Sequence, residues 1–254
     1  MSAVLHETQP VAPPRLATLV EANLVHNARR LLADYSAQSP IAIDLRANAY
    51  GHGAERCLRV LSAGLPQDAL ASVVALRSPG EADATDDDRA SGARIPVTTS
   101  AAGHHLIGPE LLGLRDRDDL APVMRLDAEI MLIKQVGPGE AVSYGRTYPV
   151  HEPTRLGVLA IGFTHGVPRA ISNKGWVLVN GHRCRIAGKV SMDQMVVDLG
   201  QAPASPGDRG LLLGAPSRGE PSIHEWAEFA GTAPEIITSR LPWSFDRTQT
   251  GAAA

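Results

Sequence analysis

One segment of the 254-residue chain combines side chains that bind anions or move protons with glycines that let a ligand approach the backbone. It reads Arg46-Ala-Asn-Ala-Tyr-Gly-His-Gly53. A guanidinium has a pKa above about 12, so Arg46 cannot become an imine-forming amine or a base. Arg46 either pairs with a carboxylate at a strand end or binds an anionic substrate group. Tyr50 offers a phenol for substrate binding, and His52 is expected to make a structural hydrogen bond.

A second set of candidate residues lies in the later part of the chain. Tyr144 carries a phenol with an ordinary pKa near 10, which acts as a base at neutral pH only beside a positive charge. Arg46 of a second chain could supply that charge, and the alternative is that Tyr144 is an aromatic packing residue. His165 adds a titratable imidazole, with a surface-loop histidine as the alternative. Of the 24 basic residues, only three are lysines that could do lysine chemistry: Lys134, Lys174 and Lys189.

Alternating strands and helices must position the first segment. Apolar runs predict strands at 16–20, 41–45, 69–76 and 95–99, and helical spacing predicts helices at 23–35 and 54–64. Ser78-Pro-Gly-Glu81 predicts the start of another helix that runs toward residue 88. The polar, glycine-containing stretch 103–119 is interpreted as a linker.

From residue 123 the pattern changes to short apolar or alternating runs separated by Gly, Pro and Asn turns, which predicts a mostly β domain. The runs lie at 123–136, 141–148, 156–163, 176–179, 183–199 and 210–213. Ser222-Ile-His-Glu225 predicts a capping box that opens a helix ending near Gly231. The chain is therefore divided into domains 1–120 and 121–254.

Four segments together resemble the alanine racemase family. In that family a lysine followed by Ala-Asn-Ala-Tyr-Gly-His-Gly ends a barrel strand and holds pyridoxal phosphate as a Schiff base, and Arg46 stands at the position of that lysine. Three further segments resemble signature segments of the family's C-terminal β domain, in the same order: Val142-Ser-Tyr-Gly-Arg-Thr-Tyr148, Ile161-Gly-Phe-Thr-His-Gly166 and Gly188-Lys-Val-Ser-Met-Asp-Gln194. The resemblance implies an α/β plus all-β fold, with a truncated TIM-type (β/α) barrel remnant followed by an alanine-racemase-type C-terminal β domain.

The resemblance also implies roles for residues of the β domain. Tyr144 matches a tyrosine that acts as the second acid/base and is contributed across a dimer interface. Met192 and Asp193 match positions that line the substrate site. His165 replaces a family aspartate, and Lys189 occupies a position of arginine or lysine where a relocated Schiff-base lysine is conceivable.

Part of the family's cofactor site is missing from the sequence. A closed (β/α)8 barrel takes roughly 250 residues, whereas about 120 residues precede the β domain here, room for about four βα units. The resemblance implies that the deleted half held the arginine facing the pyridine nitrogen and most of the phosphate-binding loops. A family tyrosine near Pro234-Glu235 is also absent, so the phosphate site would be reduced to Tyr50.

These losses lead to the prediction of a repurposed enzyme that needs no cofactor. It would perform isomerase- or cyclase-like acid/base chemistry on a small carboxylate- or carbonyl-bearing substrate in a biosynthetic pathway, with Tyr144, Arg46 and His165 as catalytic residues. One alternative is a pyridoxal-phosphate-dependent alanine racemase that holds the cofactor noncovalently near Tyr50 or on Lys189. Another is a non-catalytic binding subunit, such as a partner of a complete racemase.

Composition and charge exclude some partners. With 24 basic and 27 acidic side chains the net charge is -3. The composition therefore does not indicate the excess of positive charge that binding to nucleic acid or to an anionic membrane requires. No apolar run reaches the roughly 20 residues of a membrane helix, so a cytoplasmic protein is expected. Cys57 and Cys184 show no disulfide or zinc-ligand spacing, and no metal is expected. A half barrel leaves sheet edges uncovered, and the resemblance implies a head-to-tail homodimer whose site is shared between chains.

Overall fold

A computed structural model describes residues 15–35, 40–82, 94–143, 145–241 and 249–250. The first part contains the strands β1 (Arg15–Val20), β2 (Ile41–Asp44), β3 (Val73–Leu76), β4 (Val97–Thr98) and β5 (His105–Ile107). Its helices are α1 (Glu21–Tyr35), α2 (Arg46–Tyr50), α3 (Ala54–Gly64), α4 (Gln67–Leu70) and α5 (Pro79–Ala82).

The second part contains the strands β6 (Met124–Val136), β7 (Ala141–Val142), β8 (Tyr148–Pro149), β9 (Thr154–Leu159), β10 (Trp176–Val179), β11 (His182–Ile186), β12 (Met195–Asp198), β13 (Arg209–Leu213) and β14 (Gln249–Thr250). Its helices are α6 (Ile223–Ala230) and α7 (Pro234–Thr238). Short 3-10 turns lie at Pro109–Leu112, Phe163–His165, Arg169–Ile171 and Pro216–Arg218.

A parallel sheet in the order β4-β3-β2-β5 forms the framework of the first part. Alternate residues of β2, such as Ile41 and Ile43, are buried in one apolar core with the helix residues Leu24 of α1 and Leu58 of α3. The alternation along a strand leaves the intervening residues on the other face. Because β2 and β5 run in parallel, their carboxyl ends meet at one edge of the sheet, where Arg46 and Gly108 follow.

The interpretation of residues 103–119 as a linker is wrong. Three of them form β5, which pairs with β2 in the register Ile41↔His105, and Leu111 and Leu112 are buried core residues. The Asn27 side chain of α1 donates hydrogen bonds to the carbonyl oxygens of Leu111 (3.0 Å) and Ala121 (2.8 Å). A three-residue strand is too short to show periodicity, so the pattern missed it.

Two other boundaries in the first part differ from the prediction. The strand predicted at 69–76 begins only at Val73, because Gln67–Leu70 form the helical turn α4. The helix predicted from residue 78 toward 88 is described only as α5, Pro79–Ala82, and its remainder lies outside the described residues.

The second part is mostly β, as predicted. Six antiparallel strands form a closed ring, β6-β9-β12-β11-β10-β13, because β13 pairs with both β10 and β6. Closure leaves none of these six strands with a bare edge. The long run at 183–199 is divided into β11 and β12, and the intervening loop presents residues 188–194.

Strand pairing joins the two parts of the chain in addition to the covalent connection. β1 pairs antiparallel with β6, in the register Arg15↔Ala128 to Leu19↔Met124, and therefore belongs to the sheet of the second part. The capping box at the start of α6 is confirmed, since Ser222 Oγ accepts from the His224 N–H (3.0 Å) and Glu225 accepts from the Ser222 N–H (3.1 Å). Among the described residues, no helix is both long enough and apolar enough to span a membrane.

Candidate functional site

A left-handed turn at the carboxyl end of β2 positions Arg46 and Tyr50. Its four residues Ala47 to Tyr50 have φ between 50° and 54°, a conformation that costs L-residues roughly 1–2 kcal/mol each. Asn48 offsets this cost because its side-chain oxygen accepts the Ala54 N–H at 2.7 Å, which ties the turn to the start of α3. Gly51 follows with φ 85°, and an added Cβ there would overlap the Thr238 carbonyl oxygen of α7. The hydrogen bond to α3 and the close packing against α7 therefore hold this turn in its strained conformation.

Arg46 is held by Asp44, which the sequence analysis did not single out. The guanidinium donates from Nε to Asp44 Oδ1 (2.8 Å) and from Nη2 to Oδ2 (2.7 Å). The Tyr50 hydroxyl donates to the same Oδ2 at 2.6 Å, and the backbone N–H of Arg46 donates to Oδ1 at 3.1 Å. The Asp44 side chain is 2% exposed and that of Arg46 is 49% exposed. Of the two interpretations of Arg46, pairing with a carboxylate is the one observed; binding of a substrate anion stays a prediction.

The electrostatics of this cluster fix its protonation states. Burial of Asp44 disfavours its charge, but the hydrogen bonds from Arg46 and Tyr50 outweigh burial and hold the pKa of Asp44 below its usual range. Hydrogen bonding to Asp44 raises the pKa of Arg46. Burial, together with the neighbouring carboxylate, raises the pKa of Tyr50 far above its usual value. At neutral pH the cluster holds a carboxylate, a guanidinium and a neutral phenol that donates its proton to Asp44.

A second ion pair lies at the same edge of the parallel sheet. Arg115 makes a two-pronged ion pair with Glu235 of α7, with both N–O distances 2.8 Å, and the hydrogen bonds to Glu235 raise the pKa of Arg115. Glu110 accepts the Gly108 N–H at 3.0 Å. These residues were missed by the sequence analysis. Of these residues, only Asp44 could have been singled out from the sequence, because an acidic residue inside the apolar run Ile-Ala-Ile-Asp-Leu indicates a buried carboxylate that needs a partner.

The loops of the β region are joined by close polar contacts. Ser143 Oγ accepts the Lys189 N–H (2.7 Å) and donates to the Lys189 carbonyl oxygen (3.0 Å). The two backbones approach so closely that an added Cβ at Gly188 would overlap the Ser143 side chain. Tyr144 itself lies outside the described residues. Its neighbour Ser143 is thus fixed to the loop that also contains Met192.

Asn173 connects the same loops from the side. Its side-chain oxygen accepts the Gly188 N–H at 2.6 Å, and its amide nitrogen donates to Thr147 Oγ1 at 3.1 Å. Its backbone oxygen accepts from the Arg185 guanidinium at 2.7 and 3.0 Å. Asn173 has φ 60°, a conformation that asparagine tolerates better than most residues. We name Ser143, Thr147, Asn173, Gly188 and Lys189 the loop clamp.

The half-buried side chain of Lys189 passes beside Gly145. The distance from its Nζ to the position of a Cβ added at Gly145 is 3.3 Å. A role of Lys189 in holding a cofactor stays a prediction.

Met192 and Asp193 lie on a turn held by the loop of His165. Thr164 Oγ1 donates to the Met192 carbonyl oxygen (2.8 Å) and to Asp193 Oδ1 (3.0 Å), and the Met192 side chain is 56% exposed. His165 Nδ1 accepts the Gly162 N–H at 3.1 Å. Burial, aided by the positive charge of Arg15, lowers the pKa of His165, so its imidazole is neutral at pH 7. The predicted site residues thus form two groups, one around Asp44 and one on the β-region loops.

The closed antiparallel ring and the parallel sheet place the chain among proteins of the alanine racemase fold. The solved alanine racemase of Streptomyces coelicolor A3(2) matches with a TM-score of 0.74 at 24% identity, covering 95% of this chain and 99% of that one. The alanine racemase of Bartonella henselae, solved with covalently bound pyridoxal phosphate, matches with a TM-score of 0.68 at 19% identity, covering 93% and 99%. At these identities the likeness shows the fold alone.

Sequence comparison identifies the family. The model of the alanine racemase C-terminal domain matches residues 123–249, and the chain belongs to the alanine racemase family. The alanine racemase of Salinispora arenicola is 45% identical over 132 residues, and that of Streptomyces coelicolor is 46% identical over 127 residues. These matches cover 50% and 48% of this chain but only 36% and 32% of the relatives, so the similarity spans about a third of their length.

The prediction of a cofactor-independent isomerase or cyclase is wrong, and so is the expectation of no cofactor. The relatives in sequence and in structure are alanine racemases, and one of the solved structures holds pyridoxal phosphate covalently. That prediction gave more weight to Arg46 and to the length of the first part than to the β-region segments that resemble the family. The recognition of the family from those segments is confirmed.

The described residues around position 46 do not fit pyridoxal phosphate. The cofactor needs an amine for its aldehyde and donors for its phosphate, and a guanidinium cannot provide the amine. Three donors near position 46 are already directed at carboxylates: Tyr50 at Asp44, the Gly108 N–H at Glu110, and Arg115 at Glu235. Three carboxylates against two guanidiniums also repel a phosphate.

Proposed function

We propose that this chain serves in pyridoxal-phosphate-dependent alanine racemisation through its β region. The observation that supports this most is the loop clamp, whose contacts hold Ser143 and Thr147 on either side of position 144 and which lies in the half of the chain that is 45% identical to an alanine racemase. Because position 46 does not fit the cofactor, we infer that the lysine and the cofactor belong to a complete racemase chain that this chain accompanies.

In this proposal the chain consists of two domains. Residues 1–120 are a remnant of a TIM-type (β/α) barrel, and residues 121–254 are the C-terminal β domain. Four parallel strands that share an apolar core with α1 and α3, and a polar cluster at the carboxyl end of β2, support the first assignment, since barrel active sites lie at that end. β1 belongs to the first domain in sequence and to the β domain in its pairing.

The proposed assembly is head-to-tail, with the β domain of this chain facing the barrel of a complete racemase. The exposed Met192 side chain and the turn that holds it are accessible for such a contact. We assign proton transfer at the substrate to Tyr144, and binding of the substrate carboxylate to the turn of Met192 and Asp193. Pyridoxal phosphate supplies the electron sink that makes the substrate's Cα proton acidic. A homodimer of this chain, as predicted from the sequence, is the competing assembly.

Co-expression with a complete alanine racemase tests the proposed assembly. Native mass spectrometry of the co-purified material should show one copy of each chain, and Met192→Asp should weaken the complex because it places a charge in the contact. Met131→Asp is the matched control, since Met131 is also exposed, at 45%, but lies on β6. A homodimer without the racemase, or equal loss with both variants, would contradict the assembly.

Lys189 supports a second candidate, in which this chain binds pyridoxal phosphate itself. Its amine lies 3.3 Å from the position of a Cβ added at Gly145. Borohydride reduction of the isolated chain with pyridoxal phosphate, followed by peptide mass spectrometry, separates the candidates. A stable adduct on Lys189 that Lys189→Arg removes and Lys174→Arg retains would favour this second function, and absence of the adduct would favour the assembly.

A further inference from the structure

We infer that the buried carboxylate of Asp44 would hold a lysine at position 46 in its protonated form, so that replacing Arg46 by lysine alone does not restore a reactive amine at this position. The inference concerns the isolated chain and holds whether or not the proposed assembly forms. Restoring a reactive amine at position 46 would therefore require changes at both Asp44 and Arg46.

The geometry of Asp44 supports this inference. Its carboxylate is 2% exposed and accepts four hydrogen bonds, three from Arg46 and one from Tyr50. The backbone N–H of residue 46 contributes one of them, and it would be retained by any side chain at that position. The hydrogen bond from the backbone N–H of residue 46 to Asp44 Oδ1, at 3.1 Å, holds residue 46 beside this carboxylate. A cation introduced at position 46 therefore meets a buried anion that has already been desolvated.

A lysine at this position would be stabilised in its charged form. An opposite charge within about 4–6 Å shifts a pKa by about 1–3 units toward the charged state. The neutral amine, which is the form that attacks an aldehyde, would then be about tenfold to a thousandfold rarer than for an unpaired lysine. Asp44 and nearby Glu110 would in addition repel an incoming phosphate, while Tyr50 stays bonded to Asp44.

Four forms of the isolated chain test this inference: wild type, Arg46→Lys, Asp44→Asn, and the double variant Arg46→Lys with Asp44→Asn. Each is incubated with pyridoxal phosphate or with pyridoxal, which lacks the phosphate, and then reduced with borohydride. The amine condenses with the aldehyde and releases one water, and borohydride reduces the resulting C=N bond to a secondary amine. Peptide mass spectrometry measures the rate at which residue 46 is modified. Glu235→Gln combined with Arg46→Lys is the matched control, because Glu235 pairs with Arg115 instead.

The expected result is slow modification of Arg46→Lys, and at least tenfold faster modification of the double variant with either aldehyde. Pyridoxal reports on amine protonation alone, and a larger gain with pyridoxal phosphate would show the additional effect of phosphate repulsion. Thermal unfolding checks that each variant is folded. Rapid modification of Arg46→Lys alone would overturn the inference, and so would equal rates for the folded double variant and the Glu235→Gln control.

Discussion

Replacement of Asn173 by alanine is expected to destabilise the β region and to release the loop clamp. The change removes the acceptor of the Gly188 N–H, at 2.6 Å, and the donor to Thr147 Oγ1, at 3.1 Å. Each bond contributes about 1 kcal/mol, and the buried Gly188 N–H then lacks that partner. Alanine at φ 60° adds about 1 kcal/mol of backbone strain. We therefore expect a loss of about 3 kcal/mol in the free energy of unfolding.

Two further substitutions at this position separate the contributions. Asn173→Asp keeps the acceptor for Gly188 and should lose about 1 kcal/mol. Asn173→Gly removes both hydrogen bonds but tolerates the positive φ, so it should be about 1 kcal/mol more stable than the alanine variant. Denaturant unfolding followed by circular dichroism gives these differences.

Hydrogen exchange at the Gly188 amide gives the local effect of the same change. Its protection should fall in Asn173→Ala and stay unchanged in Asn180→Ala, because Asn180 also has a positive φ but bonds to Pro203 and Asp208 instead. A stability of Asn173→Ala within about 0.5 kcal/mol of wild type, with unchanged protection of the Gly188 amide, would show that these hydrogen bonds do not stabilise the loop clamp, since that is the scale of a neutral surface substitution.

Two other changes have defined outcomes. Gly51→Ala should lower the melting temperature by several degrees or prevent folding, because Gly51 has φ 85° and the added Cβ would overlap a carbonyl oxygen of α7. Gly103→Ala is the matched control. Gly103 has φ 77° but open space around it, so this variant should lose only the free energy of the unfavourable positive φ. Tyr148 donates to Asp198 at 2.7 Å, and burial with that bond raises its pKa to about 12. The folded state thus holds the proton more tightly than the unfolded chain, so this contribution to stability is full below about pH 10 and is lost between pH 10 and about 12. Tyr148→Phe should remove this alkaline loss from the stability–pH curve, and an unchanged slope would contradict the assignment.

Local signals predicted the elements that carry their own start and stop residues. The capping box at Ser222, the helix ending at Gly231 and the helix α3 after Gly53 were found because caps and glycines act within a few residues. The apolar runs after residue 123 gave most strands of the β region. Their closure into a ring depends on pairing between β6 and β13, more than 70 residues apart in sequence, which periodicity does not encode.

The candidate site was only half predictable for the same reason. Segments 46–53 and 142–148 were recognised from their residues, whereas Asp44, Arg115 and Glu235 become site residues only through the fold. β5 consists of three residues, and each pairs with a residue of β2 that lies 64 positions earlier, as in Ile41↔His105, so the sequence offered no pattern for it. The functional prediction was wrong because Arg46, a single residue, was given more weight than the β-region segments that resemble the family.

The most direct test of the proposed function is rescue of a complete alanine racemase that lacks its own acid/base tyrosine. The racemase is produced with the tyrosine that matches Tyr144 changed to phenylalanine, and alanine racemisation is measured with and without this chain. The wild-type chain and the Tyr35→Phe control should restore activity, whereas Tyr144→Phe should not. No rescue by the wild-type chain in a complex shown to form, or equal rescue by Tyr144→Phe, would contradict the proposed role of Tyr144.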